Sequence, residues 1–404
     1  MRNLDSAARG FERAIMIMLR MLSSCGEELE SQISEDVLMS DAYKKQNNGE
    51  EGCLNFGKSR SQELCDDFKE DFITLAIETS CDESSASILR GERNLLSNVI
   101  SSQIAIHKEY GGVVPEIASR QHLENINKVV EMSMDEASVS WNDIDLIGVT
   151  HGPGLSGALV IGVAAAKAYS TALNIPIVAV NHMHGHIAAA YAAYPKLKPP
   201  FISLVVSGGH TNIVKVNGYT DFEVLGQTRD DAIGEAYDKV ARVLGLGYPG
   251  GPKIDKLAKQ GNGSAVDFKR TWLEKGTYDF SFSGIKTGVL NYVNTEKQAG
   301  RDVKVEDVAA SFQEAVVEVV VTKAMEALEK ENMSKLVMAG GVAANSRLTE
   351  VMSEKCAEHN IEFYKPPIVM CTDNAGMIAI AAYHKYFEQG ADNLDFDVLP
   401  GLEI

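Results

Sequence analysis

The sequence predicts an α/β protein of two lobes around a cleft, and three observations carry that prediction. The chain is 404 residues long and 45% apolar, more than one hydrophobic core usually organises. From Phe72 onward, short apolar runs alternate with helical patterns. Glycine pairs follow apolar runs in the second half, and strands that end in glycines and open into helices place ligands at their carboxyl ends.

In order along the chain, residues 1–71 stand apart. "FERAIMIMLRMLSS" can form one amphipathic helix, but "GEELESQISEDVLMSDAYKKQNNGEEG" is polar, acidic and aperiodic, which describes a flexible or partly helical appendage. Arg2, Arg9, Arg13 and Arg20 resemble a transit peptide, yet Asp5 and Glu12 fall among them, and such peptides avoid acids. The first lobe is expected over 72–200: "FITLAIETS" as a buried strand, "VVPEIASRQHLENINKVVEMSMDEA" as a long helix, "IDLIGVT" as a strand, "SGALVIGVAAAKAYSTAL" as a helix and "IPIVAVNH" as a strand. The second lobe is expected over 201–404. It opens with two β-rich runs joined by a glycine pair in "FISLVVSGGHTNIVKV". The helices "AIGEAYDKVARVLGL" and "VEDVAASFQEAVVEVVVTKAMEALEK" follow, then a strand and glycine pair in "KLVMAGGVAANSRL". The final helix is expected to pack back on the first lobe.

Charge and cysteines narrow the function classes. Lys and Arg total 38 against 56 Asp and Glu, a net charge of −18, so the overall field repels phosphate backbones and a nucleic-acid substrate needs a local basic patch or a partner. The six cysteines have no C-x-x-C pair, which suits a reducing cytoplasm; an organelle is the alternative if the appendage is a transit peptide. The longest apolar stretch, "ALVIGVAAAKAYSTAL", is interrupted by Lys167 and falls short of the roughly 20 residues of a membrane crossing, so no membrane association is expected.

"HGPGLSG" at 151–157 spells G-x-G-x-x-G between a strand and a helix. The acidic residue a dinucleotide site wants at the next strand end is replaced by Asn181 and His182, so these glycines read as letting a helix pack close to the sheet. The pairs Gly208–Gly209, Gly250–Gly251 and Gly340–Gly341 either terminate strands or admit backbone N–H groups to phosphate oxygens and a nucleobase; as a set they favour nucleotide binding. No P-loop sequence occurs.

In "NHMHGHIAAAYAAY", His182 and His186 lie four apart, on one face of a helix where both imidazoles can reach one metal ion. Met183 stands where a zinc peptidase of the H-E-x-x-H type carries its base. Surface or capping histidines are the other reading. His184 projects elsewhere. Asp373 in "MCTDNAGMIAIAAY" is either a remote third ligand or an Asx helix cap, a part Asn374 serves equally. Glu78, Asp82 and Glu83 in "AIETSCDESSASI" either organise metal and phosphate or form a solvated turn. Cys81 among them has no histidine nearby in sequence and is not read as a nucleophile.

Together "ETSCDE", "GGVVPEIASRQH", "GPGLSGAL", "NHMHGH", "SGGHT", "GEAYDKVARVLGLGYPGGP", "DFSFSGIKT", "AGGVAANSRL" and "CTDNAGM" closely resemble the tRNA threonylcarbamoyladenosine transferase family of the bacterial TsaD type, in order and spacing from about Phe72 to the end. His184 departs from the family, which often has glutamate there. The resemblance implies an actin/Hsp70/sugar-kinase-like (ASKHA) fold with a nucleotide cleft between lobes. It implies transfer of a threonylcarbamoyl group from threonylcarbamoyl-AMP to N6 of adenosine 37 in tRNAs reading codons that begin with A. The implied metal ligands are His182, His186 and Asp373, holding one divalent ion, iron or zinc. The implied substrate contacts are Val205, Val206, Ser207, Gly208, Gly209, Asp238, Gly251, Asp255 and Asn345. Glu78 and Glu83 are expected to order water or accept the amine proton. The resemblance to the bacterial members implies a paralogous partner subunit and a small ATPase, which mitochondrial members dispense with. The alternatives are a metallopeptidase of the sialoglycoprotease type and a nucleotide-binding scaffold without turnover.

Overall fold

The computed structural model describes residues 70–404 except Lys275, so the appendage expected over 1–71 lies, but for its last two residues, outside the described residues. Two five-stranded mixed sheets organise the chain. The first runs β3-β2-β1-β4-β5, from β1 (Ile73–Glu78), β2 (Glu83–Arg90), β3 (Asn94–Ser102), β4 (Leu146–Gly152) and β5 (Ile177–Asn181). β1 pairs antiparallel with β2 (Glu78 opposite Ser85) and parallel with β4, which is parallel to β5. The carboxyl ends of β1, β4 and β5 therefore share one edge, where such sheets collect their functional groups.

The helices of the first half are α1 (Ile104–His107), α2 (Pro115–Ala137), α3 (Ser156–Leu173) and α4 (His182–Ala193). α2 packs on β2 and β3, and α3 on β4 and α2. β1 reads "ITLAIE" with every residue buried because α11 (Ala375–Gln389), the last helix, covers the sheet's other face across β1, β2 and β4. Small residues allow that approach: a Cβ on Gly148 of β4 would lie 2.5 Å from Ala382 of α11. α3 has the length and apolarity of a membrane-crossing helix, and half of it is buried against the protein's own core.

The second sheet runs β10-β9-β6-β7-β8, from β6 (Phe201–Val206), β7 (Thr211–Val216), β8 (Phe222–Gln227), β9 (Lys335–Ala339) and β10 (Glu362–Tyr364). One face carries a core shared with α5 (Ile233–Val243), α6 (Gly250–Ala258), α7 (Ser283–Gln298), α8 (Val305–Lys330) and α9 (Ser346–Glu358). The other face joins a second core through Val205, Val214 and Val337, built with Val180 of β5, Ile187 and Tyr191 of α4 and Ile378 of α11. α4 and α11 thus lie between the sheets, with the short α10 (Ile368–Cys371) beside α4.

A buried histidine in α11 makes this arrangement pH-sensitive. His384 stacks on Tyr219 with ring centroids 3.9 Å apart; burial pushes its pKa down to about 4, with Arg93 adding to the shift and Glu92 opposing it. Since the unfolded side chain titrates near 6.5, the unfolded chain binds the extra proton between the two values, and stability falls as pH drops from about 6.5 toward 4. Replacing His384 by Gln is expected to remove up to about 3 kcal/mol of that loss. Urea midpoints at pH 7 and pH 4.5 check it: a slope equal to that of the unaltered chain would contradict the assignment.

Candidate functional site

α4 starts where β5 stops. The Asn181 side chain accepts a hydrogen bond from Met183 N at 2.8 Å and caps the helix. Helical spacing then sets the His182 and His186 rings 4.6 Å apart. His184 points to the opposite side and stacks on Phe222 at 4.0 Å. Met183 is buried in the core between the sheets, so the position that holds the base in a zinc peptidase helix is apolar here.

Asp373 arrives from the turn before α11, and the cap question resolves in favour of its neighbour. Asn374 accepts from Met377 N at 3.1 Å and caps α11, which leaves the Asp373 carboxylate to face α4. Gly185 permits the two helices to meet, since a Cβ there would lie 2.6 Å from Ile378 Cδ1. Asp373 Oδ1 lies 3.4 Å from His182 Nε2 and 3.3 Å from His186 Nε2. One ligand atom from each of the three side chains falls within 4.8 Å of the others.

This donor set fits a divalent cation. Among the described residues neither nitrogen of the fully buried His186 has a hydrogen-bond partner, an uncommon state for buried polar atoms that an ion at Nε2 would relieve on the side facing Asp373. Burial lowers the His186 pKa and keeps the imidazole neutral, the form that ligates. His182 Nδ1 donates to Glu78 Oε2 at 3.0 Å, which fixes the tautomer and aims Nε2 at Asp373, as a carboxylate behind a ligating histidine does. Burial opposes a charge on His182, yet the carboxylates of Glu78 and Asp373 flank the ring and raise its pKa well above the usual range. A bound cation would take the place of the Nε2 proton between these carboxylates. Two imidazoles and one carboxylate suit zinc or iron by ligand type.

The acids at the end of β1 divide into two kinds. Glu78 is fully buried and both its oxygens are occupied: Oε1 accepts from Ser80 N, and Oε2 from Thr150 Oγ1 and His182 Nδ1. These contacts tie Glu78 to the orientation of the His182 ring. Glu83 opens β2 and is half-buried. Burial, then Asp373 and Asp82, push its pKa up to about 10. Asp82 Oδ2 is buried without a hydrogen-bond partner among the described residues. Burial and Asp82 raise the Cys81 thiol well above its ordinary value, the reverse of an activated nucleophile.

The glycines of 151–157 serve packing. A Cβ at Gly154 would lie 2.5 Å from Ser80 O, and Leu155 N donates to that same carbonyl at 2.7 Å, so the turn after β1 stoppers the start of α3. The later pairs differ. Cβ atoms at Gly208, Gly209, Gly251 and Gly341 would meet nothing within 4 Å, whereas Gly250 would strike Asp238 and Ala241, and Gly340 the carbonyl of Val206. One glycine of each of the last two pairs seats the turn, and its neighbour presents bare backbone.

Around that backbone stand the other expected residues. The side chains of Val205 and Val206 are buried in the two cores of the second sheet, so only their main chain can meet a ligand. Ser207 Oγ accepts from His210 N at 3.1 Å. Asp238 accepts from Gly250 N at 2.6 Å; burial raises its pKa against the pull of the Gly250 and Gly251 N–H groups. Asp255 accepts from Ser346 Oγ at 2.8 Å and joins α6 to the start of α9. Asn345 caps α9 through Leu348 N and donates to Gln313 Oε1 at 2.8 Å, so its amide is engaged within the protein. His210 was not singled out from the sequence. Burial, then the charges of His182 and His186, push its imidazole down to about 4; the only sequence signal for it was the "SGGHT" string.

Comparison with known proteins follows the same lines. The sequence profile of the tRNA N6-adenosine threonylcarbamoyltransferase family matches residues 94–380. A protein of that name from Clostridioides difficile (strain 630) is 52% identical over 334 residues, 83% of this chain and 99% of its own length. Another of that name from Clostridium botulinum (strain Kyoto / Type A2) is 52% identical over 336 residues, again 83% and 99%. Among solved structures, full-length HypF in its phosphate- and nucleotide-bound form superposes with a TM-score of 0.57 at 16% identity, over 80% of this chain and 48% of that one. HypF of T. kodakarensis gives 0.52 at 14%, over 79% and 47%. At such identities these two speak to the fold, which is two-lobed and of the ASKHA type.

Proposed function

Because the chain belongs to the tRNA N6-adenosine threonylcarbamoyltransferase family and is an acyltransferase that makes threonylcarbamoyladenosine in tRNA, we propose that its donor is threonylcarbamoyl-AMP and its acceptor N6 of adenosine 37 in tRNAs reading codons that begin with A. The observation that carries this reading is the His182–His186–Asp373 cluster, in a chain whose glycine backbone at Gly208 and Gly209 after β6 is left uncovered. Residues 72–200 and 201–404 are the two lobes, with α11 returning to the first.

The donor is a mixed anhydride, already activated, so the protein has to orient it, not build an acyl-enzyme. A bound divalent ion, iron or zinc, supplies Lewis acidity toward the donor carbonyl and charge compensation for Asp373. His182 and His186 hold their Nε2 atoms toward that position, and Glu78 keeps His182 from turning away. Ser207 N donates to His210 O at 2.9 Å and closes the turn, and the N–H groups of Gly208 and Gly209 stabilise the negative charge that builds on the phosphate as AMP leaves. Asp238 and the bare backbone at Gly251 grip the nucleoside; Asp255 and Asn345 act by fixing α6 and α9 around it. In the transfer, the amine N6 attacks the carbamoyl carbon, the C–N bond forms, and the anhydride C–O bond breaks toward AMP. With Asp373 uncompensated, Glu83 holds its own proton near neutral pH; a cation offsetting Asp373 would let Glu83 ionise and take the amine proton.

With a net charge of −18, the chain gains tRNA affinity from a surface shared with a paralogous subunit and a small ATPase. Alone it is expected to bind tRNA weakly, losing at least tenfold in affinity between 50 and 200 mM salt; fluorescence anisotropy measures this, and tight salt-insensitive binding would contradict it. The test of the reaction is mass spectrometry of tRNA nucleosides after incubation with threonylcarbamoyl-AMP and unmodified tRNA, with and without those partners. Threonylcarbamoyladenosine at position 37 is the expected product; no product in the complete mixture would refute the donor.

A further inference from the structure

The metal-bearing helix α4 is held at both ends from outside itself. At its carboxyl end the Arg93 guanidinium, from the β2–β3 turn, donates to the carbonyls of Tyr194 and Leu197 at 3.1 and 3.2 Å, as a cation at a helix C-terminus does. At its amino end the contact comes from the segment after α11, whose path bears on the ligands.

That segment first closes the free edge of the first sheet. Asp392 N donates to Ile177 O at 2.9 Å, and Asp392 Oδ2 accepts from Ala179 N at 2.8 Å and Lys385 Nζ at 2.9 Å. It next crosses the carboxyl ends of the strands. The Phe396 ring lies 4.4 Å beneath Lys167 Nζ, Leu399 N donates to His151 O at 2.7 Å, and Pro400 O accepts from Gly154 N at 3.1 Å. The approach is so close that a Cβ on Gly152 would sit 2.1 Å from Leu399 O. It ends against Asn181, whose Nδ2 donates to Glu403 O at 2.8 Å. The same buried amide caps α4 through Oδ1 and Met183 N, so one side chain joins the segment to the first turn, and the next residue is His182.

We propose that residues 399–404 are a positioning strap for the metal ligands: through the Glu403 carbonyl they fix the Asn181 amide, the first turn of α4 and hence the direction of His182 Nε2. A helix cap alone needs only the Asn181 oxygen. The strap occupies the other end of the amide and removes its freedom to rotate, as outer partners of metal ligands do. The inference rests on the metal reading above.

The test uses Co2+ as the probe, titrated into the full chain, a chain lacking residues 402–404, Asn181→Ser and the combination, with affinity and the visible absorption spectrum as readouts. Asn181→Ser keeps a capping oxygen and loses the N–H, so it carries the test if the deletion does not fold. The deletion and Asn181→Ser are each expected to weaken Co2+ binding about tenfold and to alter the spectrum. The combination is expected to be no weaker than either change alone, because both break one bond, and excess Co2+ is expected to restore occupancy. Unchanged affinity and spectrum in the deletion and in Asn181→Ser overturn the strap, as do losses that multiply in the combination. His186→Ala separates the two readings: if it binds Co2+ as the unaltered chain does, the metal assignment fails and takes the strap with it.

Discussion

Alanine at His186 is expected to abolish threonylcarbamoyl transfer, by on the order of 10³-fold or about 4 kcal/mol of transition-state stabilisation, while nucleotide affinity stays within about twofold. The reason is local. His186 Nε2 stands 3.3 Å from Asp373 Oδ1, and neither ring nitrogen has another partner among the described residues, so the side chain serves little besides an ion. Its removal deletes a buried unsatisfied polar group, which offsets part of the cavity cost, and the metal-free chain should unfold at nearly the same denaturant concentration. Single-turnover transfer followed by nucleoside mass spectrometry, alongside AMP binding by equilibrium dialysis, makes the comparison. Modification at the unaltered rate would remove the metal from the mechanism; a joint loss of transfer and nucleotide binding would point to a collapsed cleft instead.

The second large effect falls on stability. Gly340→Ala is expected to cost about 3 kcal/mol or more. Gly340 has φ +89°, and a Cβ there would lie 2.4 Å from Val206 O. The left-handed backbone alone costs roughly 1–2 kcal/mol for a residue with a side chain, and the clash is with the carbonyl of a central strand that cannot swing aside. Gly341→Ala is the control, because a Cβ at Gly341 meets nothing within 4 Å. The urea midpoint should fall for the first variant and hold for the second, and any activity lost in Gly341→Ala would report on substrate approach to the bare backbone. Equal midpoints for the two would show that β9 and β6 are not locked together at this point.

Much of this was legible in the sequence because the signals were local. The pattern of "SGALVIGVAAAKAYSTAL" gives α3 to the residue, and that of "VEDVAASFQEAVVEVVVTKAMEALEK" gives α8. The i, i+4 spacing put His182 and His186 on one face without reference to anything else. Asp373 could be named but not located, since its approach depends on Gly185 and the alanines of α11 letting two distant helices touch. The β2–β3 hairpin escaped notice: Glu83, one of the acids for which a solvated turn was an alternative, opens the second strand. β2 is buried along six of its eight residues because α2 and α11 cover it from both sides, which erases the alternation expected of a hairpin with one wet face. The commitment of Glu78 to His182 left no trace in spacing, since it arises only when β1 and β5 align at their carboxyl ends. The engaged amide of Asn345 and the core-facing side chains of Val205 and Val206 are likewise products of tertiary packing.

The place of α11 between the sheets has a consequence for biosynthesis. A chain leaving the ribosome can pair β6 to β10 and cover one face of that sheet before the last forty residues emerge, but the sheet made first stays open on the face that Ala375 to Gln389 will cover. Asp373 is delivered by the same late segment, so the two histidines wait, correctly spaced and incomplete, until translation is nearly done. An ion held by all three side chains would then act as a seal on the finished molecule, and partly made chains would have no means of capturing one in that geometry.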